Sequence, residues 1–138
     1  MTGAAGFIGF HVSKRLLDRG WRVIGLDCMS DYYDVYIKEC RENMLLQYSE
    51  YRSIHEKIEQ PNVLMKILEG EQPNIIVHLA AQAGVRYSIE SPRSYLESNV
   101  IGTFELLEAA RAFPPDHLLI ASTSSAYGAN EQMPYRET

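Results

Sequence analysis

Several features that would point to particular classes of protein are missing from this sequence. Its 138 residues contain no apolar run near the roughly 20 residues that a membrane span needs, so no span is predicted. Lys and Arg form no cluster and the formal net charge is −5, which argues against a nucleic-acid surface. No basic stretch followed by an apolar one opens the chain, so we expect no secretory signal and a cytoplasmic location.

Metal-binding and disulfide patterns are missing as well. The two cysteines, Cys28 and Cys40, form neither a C-x-x-C pair nor a zinc-ligand spacing. The four histidines are scattered, and those at 78 and 117 belong to predicted strands. We therefore expect reduced thiols and no metal site.

Helical and strand patterns alternate along the chain. Predicted strands cover 22–27, 51–58, 74–81 and 117–122, and predicted helices cover 7–19, 35–48, 61–68 and 92–113. The last helix is predicted to have Ser91 as its N-cap and to bury Leu96, Val100, Thr103, Leu107 and Ala110. Such alternation favours a parallel sheet with helices on both faces. The fold class predicted for residues 1–138 is thus α/β, one doubly wound, Rossmann-like domain.

The most informative motif is the glycine pattern near the start of the chain. Gly3, Gly6 and Gly9 have the spacing G-x-x-G-x-x-G and lead into a helical pattern, and Asp27 closes the next strand. Such a turn brings bare backbone N–H groups and a helix N-terminus to a pyrophosphate. A carboxylate about 20 residues further on suits the ribose hydroxyls of NAD and repels the 2′-phosphate of NADP. We therefore predict an NAD site.

The strand that this motif requires is almost entirely missing, because only Met1 and Thr2 precede Gly3. In a doubly wound sheet that strand lies between the predicted strands 22–27 and 74–81. Without it, these two strands should face a gap lined by unpaired backbone groups, which are costly to bury. We expect an incomplete sheet that lacks most of its first strand, and hence a fragment, a misplaced start codon or a chain completed from elsewhere.

Three ordered segments resemble a known family. They are T-G-A-A-G-F-I-G at 2–9, H-L-A-A-Q-A-G-V-R-Y-S at 78–88 and S-T-S-S-A-Y-G at 122–128. Together they resemble the extended short-chain dehydrogenase/reductase family, and within it the nucleotide-sugar epimerases that act on UDP-glucuronate. The A-G-V-R-Y-S segment and the D-Y-Y-D loop at 31–34 point to that branch.

The resemblance implies an NAD-dependent isomerase that inverts C4 of a UDP-hexuronate through a transient 4-keto sugar. The residues that it implies for NAD binding are Gly3, Gly6, Phe7, Ile8, Gly9, Asp27, Leu79, Ala80, Ala81, Ala83, Asn99 and Ser122. Substrate-binding roles are implied for Arg86, Ser88, Ser124 and Ser125, and Thr123 matches the catalytic hydroxyl. The resemblance also allows a homodimer formed through the helix at 92–113.

Departures from the family pattern leave alternatives open. The tyrosine–lysine pair of the family, Tyr-x-x-x-Lys, does not occur in the 138 residues, and the carboxyl-terminal substrate region is not matched, so this chain alone is expected to be inactive. Ser124-Ser125 stands where the related 4,6-dehydratases have Asp-Glu, which disfavours dehydration. The alternatives are a UDP-glucuronate decarboxylase or a reductase of the same branch, or a truncated, non-catalytic remnant that binds nucleotide or a partner.

Overall fold

A computed structural model of the protein describes residues 1–136. Its strands are β1 (Val23–Asp27), β2 (Tyr51–His55), β3 (Ile75–His78) and β4 (His117–Ile120). Its α-helices are α1 (Phe7–Leu17), α2 (Val35–Leu45), α3 (Val63–Glu71), α4 (Tyr87–Glu90), α5 (Pro92–Tyr95) and α6 (Gly102–Ala112). A π-helical segment, Leu96–Ile101, joins α5 to α6, and a 3₁₀ turn, Ser124–Tyr127, follows β4. Within residues 1–136, no helix has the length and apolarity to cross a bilayer.

The strands form a parallel sheet with one residue at its centre. β1 pairs with β2, Val23 opposite Tyr51, and β3 pairs with β4, Ile75 opposite His117. Thr2 bridges Leu26 of β1 and His78 of β3, both in parallel. The spatial order is therefore β2-β1-Thr2-β3-β4, which confirms a doubly wound sheet that lacks most of its first strand.

Met1 and Thr2 close the predicted gap at its carboxyl end. On one side the Met1 ammonium donates to the Ile24 carbonyl at 2.9 Å, and the Leu26 N–H donates to the Met1 carbonyl at 2.9 Å. On the other side the Thr2 N–H donates to the Val77 carbonyl at 3.0 Å. Two residues thus satisfy the backbone groups nearest to the glycine turn.

The amino end of the same gap remains open. A cavity of about 310 Å³ lies there between β1 and β3, lined by apolar side chains that include Val12, Leu16 and Trp21. Its position is where the preceding residues of a central strand would run. The prediction of a gap between the inner strands is therefore correct for this end only.

Helices cover both faces of the sheet. Leu26 and Ile76 pack with α3 and α6 in one apolar cluster. Val23 and Tyr51 pack with α1 and α2 in the other. Val23 and Leu26 belong to opposite faces because their separation in the strand is odd. The two apolar clusters lie on the faces of the sheet. The carboxyl ends of the strands, where ligands of this architecture bind, are outside these clusters.

The helix predicted at 92–113 differs from the expectation in two respects. The Ser91 side chain does not cap it; the Ser91 carbonyl instead accepts the Ser94 hydroxyl at 2.7 Å. The buried positions are Gly102, Leu106, Ala109 and Ala110, whereas Leu96, Val100 and Leu107 are about half exposed. A Cβ at Gly102 would overlap Ile58, so close packing at this point of the inner face requires glycine.

Candidate functional site

The glycine turn follows directly from Thr2. Gly3 has a φ of +68°, which glycine adopts at no steric cost, and a Cβ there would lie 2.9 Å from the Ala80 nitrogen. A Cβ at Gly9 would overlap the Gly3 carbonyl oxygen. The missing side chain at Gly9 therefore lets α1 contact the turn itself.

The amino terminus of α1 faces outward beside this turn. Gly6 is the N-cap, and no side chain caps the helix there. The next two side chains, Phe7 and Ile8, are 65% and 62% exposed. Free N–H groups and the positive end of the helix dipole make such a terminus suitable for a phosphate.

Asp27 is held at the end of β1 by backbone donors. Its Oδ2 accepts the Ala5 N–H at 3.1 Å, and its Oδ1 accepts the Met29 N–H at 2.9 Å. The carboxylate is thus tied to the glycine turn on one side and to the following loop on the other. This geometry places a fixed negative charge beside the turn.

A cleft of about 200 Å³ lies outside the carboxyl ends of β1 and β3. Of the predicted cofactor residues, it is lined by Gly3, Gly6, Asp27, Leu79, Ala80, Ala81 and Ala83. Phe7, Ile8 and Gly9 belong to the adjoining helix α1, and Ser122 follows β4. Larger hollows, of about 310, 340 and 520 Å³, lie around Trp21, Asn74 and Gln60, away from the glycine turn. The position at the strand ends, rather than size, makes the 200 Å³ cleft the candidate site.

The wall of the cleft after β3 is fixed by side chains from the following helices. The Asn99 amide accepts the Gln82 N–H at 2.7 Å and donates to the Gln82 carbonyl at 3.0 Å. The Tyr95 hydroxyl donates to the Ala83 carbonyl at 2.8 Å. Both the oxygen and the nitrogen of the Asn99 side-chain amide therefore bind the backbone of Gln82. Asn99 lies next to the cleft but is not part of its lining.

The predicted substrate and catalytic residues lie outside the lining of this cleft. Arg86 is exposed, and the Ser88 hydroxyl donates to the Val85 carbonyl at 2.6 Å. Thr123 is exposed and accepts the Ser125 N–H at 3.2 Å, which opens the short 3₁₀ turn containing Ser124. These residues are on two loops at the carboxyl edge of the sheet, one after β3 and one after β4.

His78 is buried beneath the site. Its Nδ1 is 2.8 Å from the Thr2 hydroxyl, and Thr2 in turn accepts the Leu79 and Ala80 N–H groups at 3.1 Å each. Burial, and secondarily the charge of the Met1 ammonium, lowers the pKa of His78. A neutral imidazole therefore links the single central residue of the sheet to the cleft wall. Within residues 1–136, no three His, Cys, Asp or Glu side chains gather as metal ligands.

Sequence reasoning missed two groups of residues that shape the cleft. Tyr32 and Tyr87 pack with ring centroids 4.9 Å apart, and this contact joins the D-Y-Y-D loop to the loop after β3. Lys38 of α2 lies 3.5 Å from Asp27, and Arg41 donates to the Ala5 carbonyl at 3.2 Å. The acidic, tyrosine-rich loop was visible in the sequence, but nothing in the helical pattern marked Lys38 as buried.

Comparison with known proteins agrees with this geometry. The profile of the GDP-mannose 4,6-dehydratase family matches residues 1–138. A probable UDP-glucuronate 4-epimerase of Rhizobium meliloti (strain 1021) is 49% identical over 137 residues, which are 99% of this chain and 40% of the relative. UDP-glucuronate 4-epimerase 2 of Arabidopsis thaliana is 44% identical over 138 residues, or 99% of this chain and 32% of the relative.

A solved structure shows the same fold. The UDP-glucuronic acid 4-epimerase from Bacillus cereus, in complex with UDP-glucuronic acid and NAD, superposes with a TM-score of 0.85 at 34% identity, covering 95% of this chain and 41% of that one. NAD, the cofactor that the sequence predicts, is the dinucleotide in that complex. The chain thus spans about two-fifths of the length of the Bacillus and Rhizobium proteins. It belongs to the GDP-mannose 4,6-dehydratase family, within the extended short-chain dehydrogenases/reductases that include the UDP-glucuronate 4-epimerases.

Proposed function

We propose that this chain is the NAD-binding part of a nucleotide-sugar 4-epimerase whose substrate is a UDP-hexuronate. The observation that carries the proposal is the cleft beside the glycine turn. It joins an uncapped helix terminus, a close approach of backbone at Gly3 and a fixed carboxylate at Asp27. Each of these matches one part of a dinucleotide in chemistry and order.

The residues present fit the cofactor. The N–H groups in the first turn of α1 would hold the pyrophosphate, and Asp27 would accept hydrogen bonds from the adenosine ribose. The small side chains of Ala80, Ala81 and Ala83 leave space along the wall where a larger side chain would obstruct the dinucleotide. When bound, NAD supplies the hydride acceptor and donor for reversible oxidation at the sugar C4.

The substrate side of the proposal rests on the two loops at the carboxyl edge. The guanidinium of Arg86 can form a bidentate pair with a carboxylate or a phosphate. The Thr123 hydroxyl would hydrogen-bond the C4 oxygen as that oxygen gains and loses charge. Ser88, Ser124 and Ser125 would contact the UDP-sugar, and Asn99 and Ser122 would border the nicotinamide end of the cofactor.

The proposal is tested by titrating NAD into the ¹⁵N-labelled chain. We expect the largest amide shift changes at residues 3–9, 27–30 and 79–83, because these backbone groups surround the cleft. Asp27→Ala should weaken NAD binding about tenfold or more in calorimetry, since a hydrogen bond to a charged group is lost. Asp18→Ala, at the exposed far end of α1, is the matched control and should bind NAD as the unchanged chain does. Shift changes elsewhere, or equal affinities for both variants, would contradict the assignment.

A further inference from the structure

Two segments on opposite sides of the cleft are joined by aromatic side chains. Tyr32, in the loop after β1, lines the cleft, and its ring centroid lies 4.9 Å from that of Tyr87 in α4. The centroid of the Tyr87 ring is in turn 6.3 Å from that of Tyr95 in α5. Aromatic rings at such separations attract one another. We call Tyr32, Tyr87 and Tyr95 the tyrosine bridge, because they connect the loop after β1 with the wall of the cleft after β3.

The loop after β1 is held on both sides of Tyr32. Before it, the Ser30 hydroxyl accepts a hydrogen bond from the Lys38 ammonium at 3.0 Å. After it, the Tyr33 hydroxyl accepts one from the Arg41 guanidinium at 3.1 Å. The Tyr32 side chain is 43% exposed and makes no hydrogen bond within residues 1–136, so only packing holds it across the cleft. Such a side chain can change its rotamer while the loop stays in place.

The opposite wall leaves room for the Tyr32 side chain. Gly84 has a φ of +98°, and a Cβ there would overlap the Tyr32 hydroxyl. The Tyr95 hydroxyl donates to the Ala83 carbonyl at 2.8 Å, so the backbone next to Gly84 is itself fixed. Tyr32 is therefore the one member of the bridge that can move between two anchored segments.

We propose that the tyrosine bridge is a gate across the cleft, which opens to admit NAD and closes over it. The inference rests on the proposed function, because it assumes that a dinucleotide lies between the two walls. A dinucleotide that extends from Asp27 towards Ala83 has to pass Tyr32, which lines the space between them. Opening requires only the loss of the contact between Tyr32 and Tyr87 and a rotation of the Tyr32 side chain. When the contact forms again, the bound dinucleotide is released only at the next opening.

The test is stopped-flow fluorescence with NADH, which has the same adenosine and pyrophosphate as NAD. A closed gate slows entry and exit alike, so Tyr32→Ala should raise both the association and the dissociation rate constant. The expected rise is about three- to tenfold, the range that one aromatic contact accounts for, and the Kd should change by less than about twofold. Tyr32→Phe keeps the ring and should keep both rates. Tyr36→Ala, a 67% exposed position on α2 close in sequence, is the matched control and should change neither rate.

A double-mutant cycle tests whether the contact between the two rings is responsible. Tyr87→Ala should raise both rate constants as Tyr32→Ala does. The variant with both substitutions should be no faster than either single variant, because each substitution removes the same contact. Effects that multiply would show that the rings act separately and would contradict the gate.

The outcomes separate this inference from the proposed function. If the unchanged chain binds neither NAD in calorimetry nor NADH here, the proposed function fails and the gate fails with it. If NADH binds and Tyr32→Ala alters neither rate constant, the gate alone is wrong. A rise in the dissociation rate constant alone would make Tyr32 a contact of the bound dinucleotide, which also contradicts the gate. Circular dichroism establishes that each variant is folded before mixing.

Discussion

Gly9 shows how one missing side chain connects a helix to a binding turn. The Gly3 carbonyl occupies the space where a Cβ at position 9 would stand, and both groups belong to backbone that cannot move independently. Gly3 in turn contacts the backbone of Leu79 and Ala80 in the opposite wall of the cleft. A side chain at position 9 would therefore displace the cleft as well as the helix.

Gly9→Ala should accordingly destabilise the protein by about 1–3 kcal/mol, the usual range for overpacking. Gly70 gives a matched comparison, since it lies in α3 with no atom within 4 Å of a built Cβ. Gly70→Ala should stabilise by about 0.5–1 kcal/mol, because alanine has the higher helix propensity. Urea denaturation measures both changes, and equal effects of the two substitutions would show that the contact at Gly9 is unimportant.

At the scale of elements, the junction between β1 and β3 includes a buried amino group, that of Met1. The Met1 ammonium fills a backbone position of the central strand, and burial lowers its pKa from 8.0 to about 6. The pKa of His78, in the neighbouring strand, is lowered as well. Both groups are therefore more easily protonated in the unfolded chain, so folding is favoured at higher pH.

The free energy of unfolding should rise between pH 6 and pH 8. The contribution of Met1 is present in full above pH 8 and is lost as the pH falls to about 6, and a change of that size corresponds to about 3 kcal/mol. His78 adds to the loss below its unfolded value of about 6.5. Urea denaturation at several pH values measures the slope. Acetylation of Met1 keeps the N–H donor to Ile24 and removes the charge, so it should flatten the profile above pH 6.5; an unchanged slope would exclude Met1 as its origin.

For the whole molecule, the described residues supply the dinucleotide cleft of the proposed epimerisation and not its proton-transfer pair. The cleft suits a dinucleotide, but the sequence has no Tyr-x-x-x-Lys to move the proton of the sugar hydroxyl. The outer face of the last long helix is also apolar, with Leu96, Val100, Phe104 and Leu107 about half exposed. This face is where the homodimer that the family resemblance allows would form, and that homodimer is untested.

We expect the chain by itself to bind NAD and to form no C4 epimer from UDP-glucuronate. The proton-transfer pair contributes about 10²–10⁴-fold to such a step, and Thr123 alone lacks a partner to replace it. Product analysis by NMR after prolonged incubation with NAD and UDP-glucuronate measures the activity. A measurable amount of UDP-galacturonate, abolished by Thr123→Ala, would show that these 138 residues contain a proton-transfer group that we have not recognised.

The sequence by itself determined the alternation of strands and helices, the parallel sheet and the turn at Gly3, because periodicity and glycine spacing act on neighbouring residues. The sequence also placed Asp27 at the end of β1, because the apolar run of the strand stops at this residue. Only the tertiary structure decided that Lys38 pairs with Asp27, that Asn99 fastens Gln82 and that Met1 and Thr2 stand in for a strand. The reason is physical: these contacts join residues 11 to 78 positions apart, and the burial of a charge or of a helix face depends on which side chain packs there.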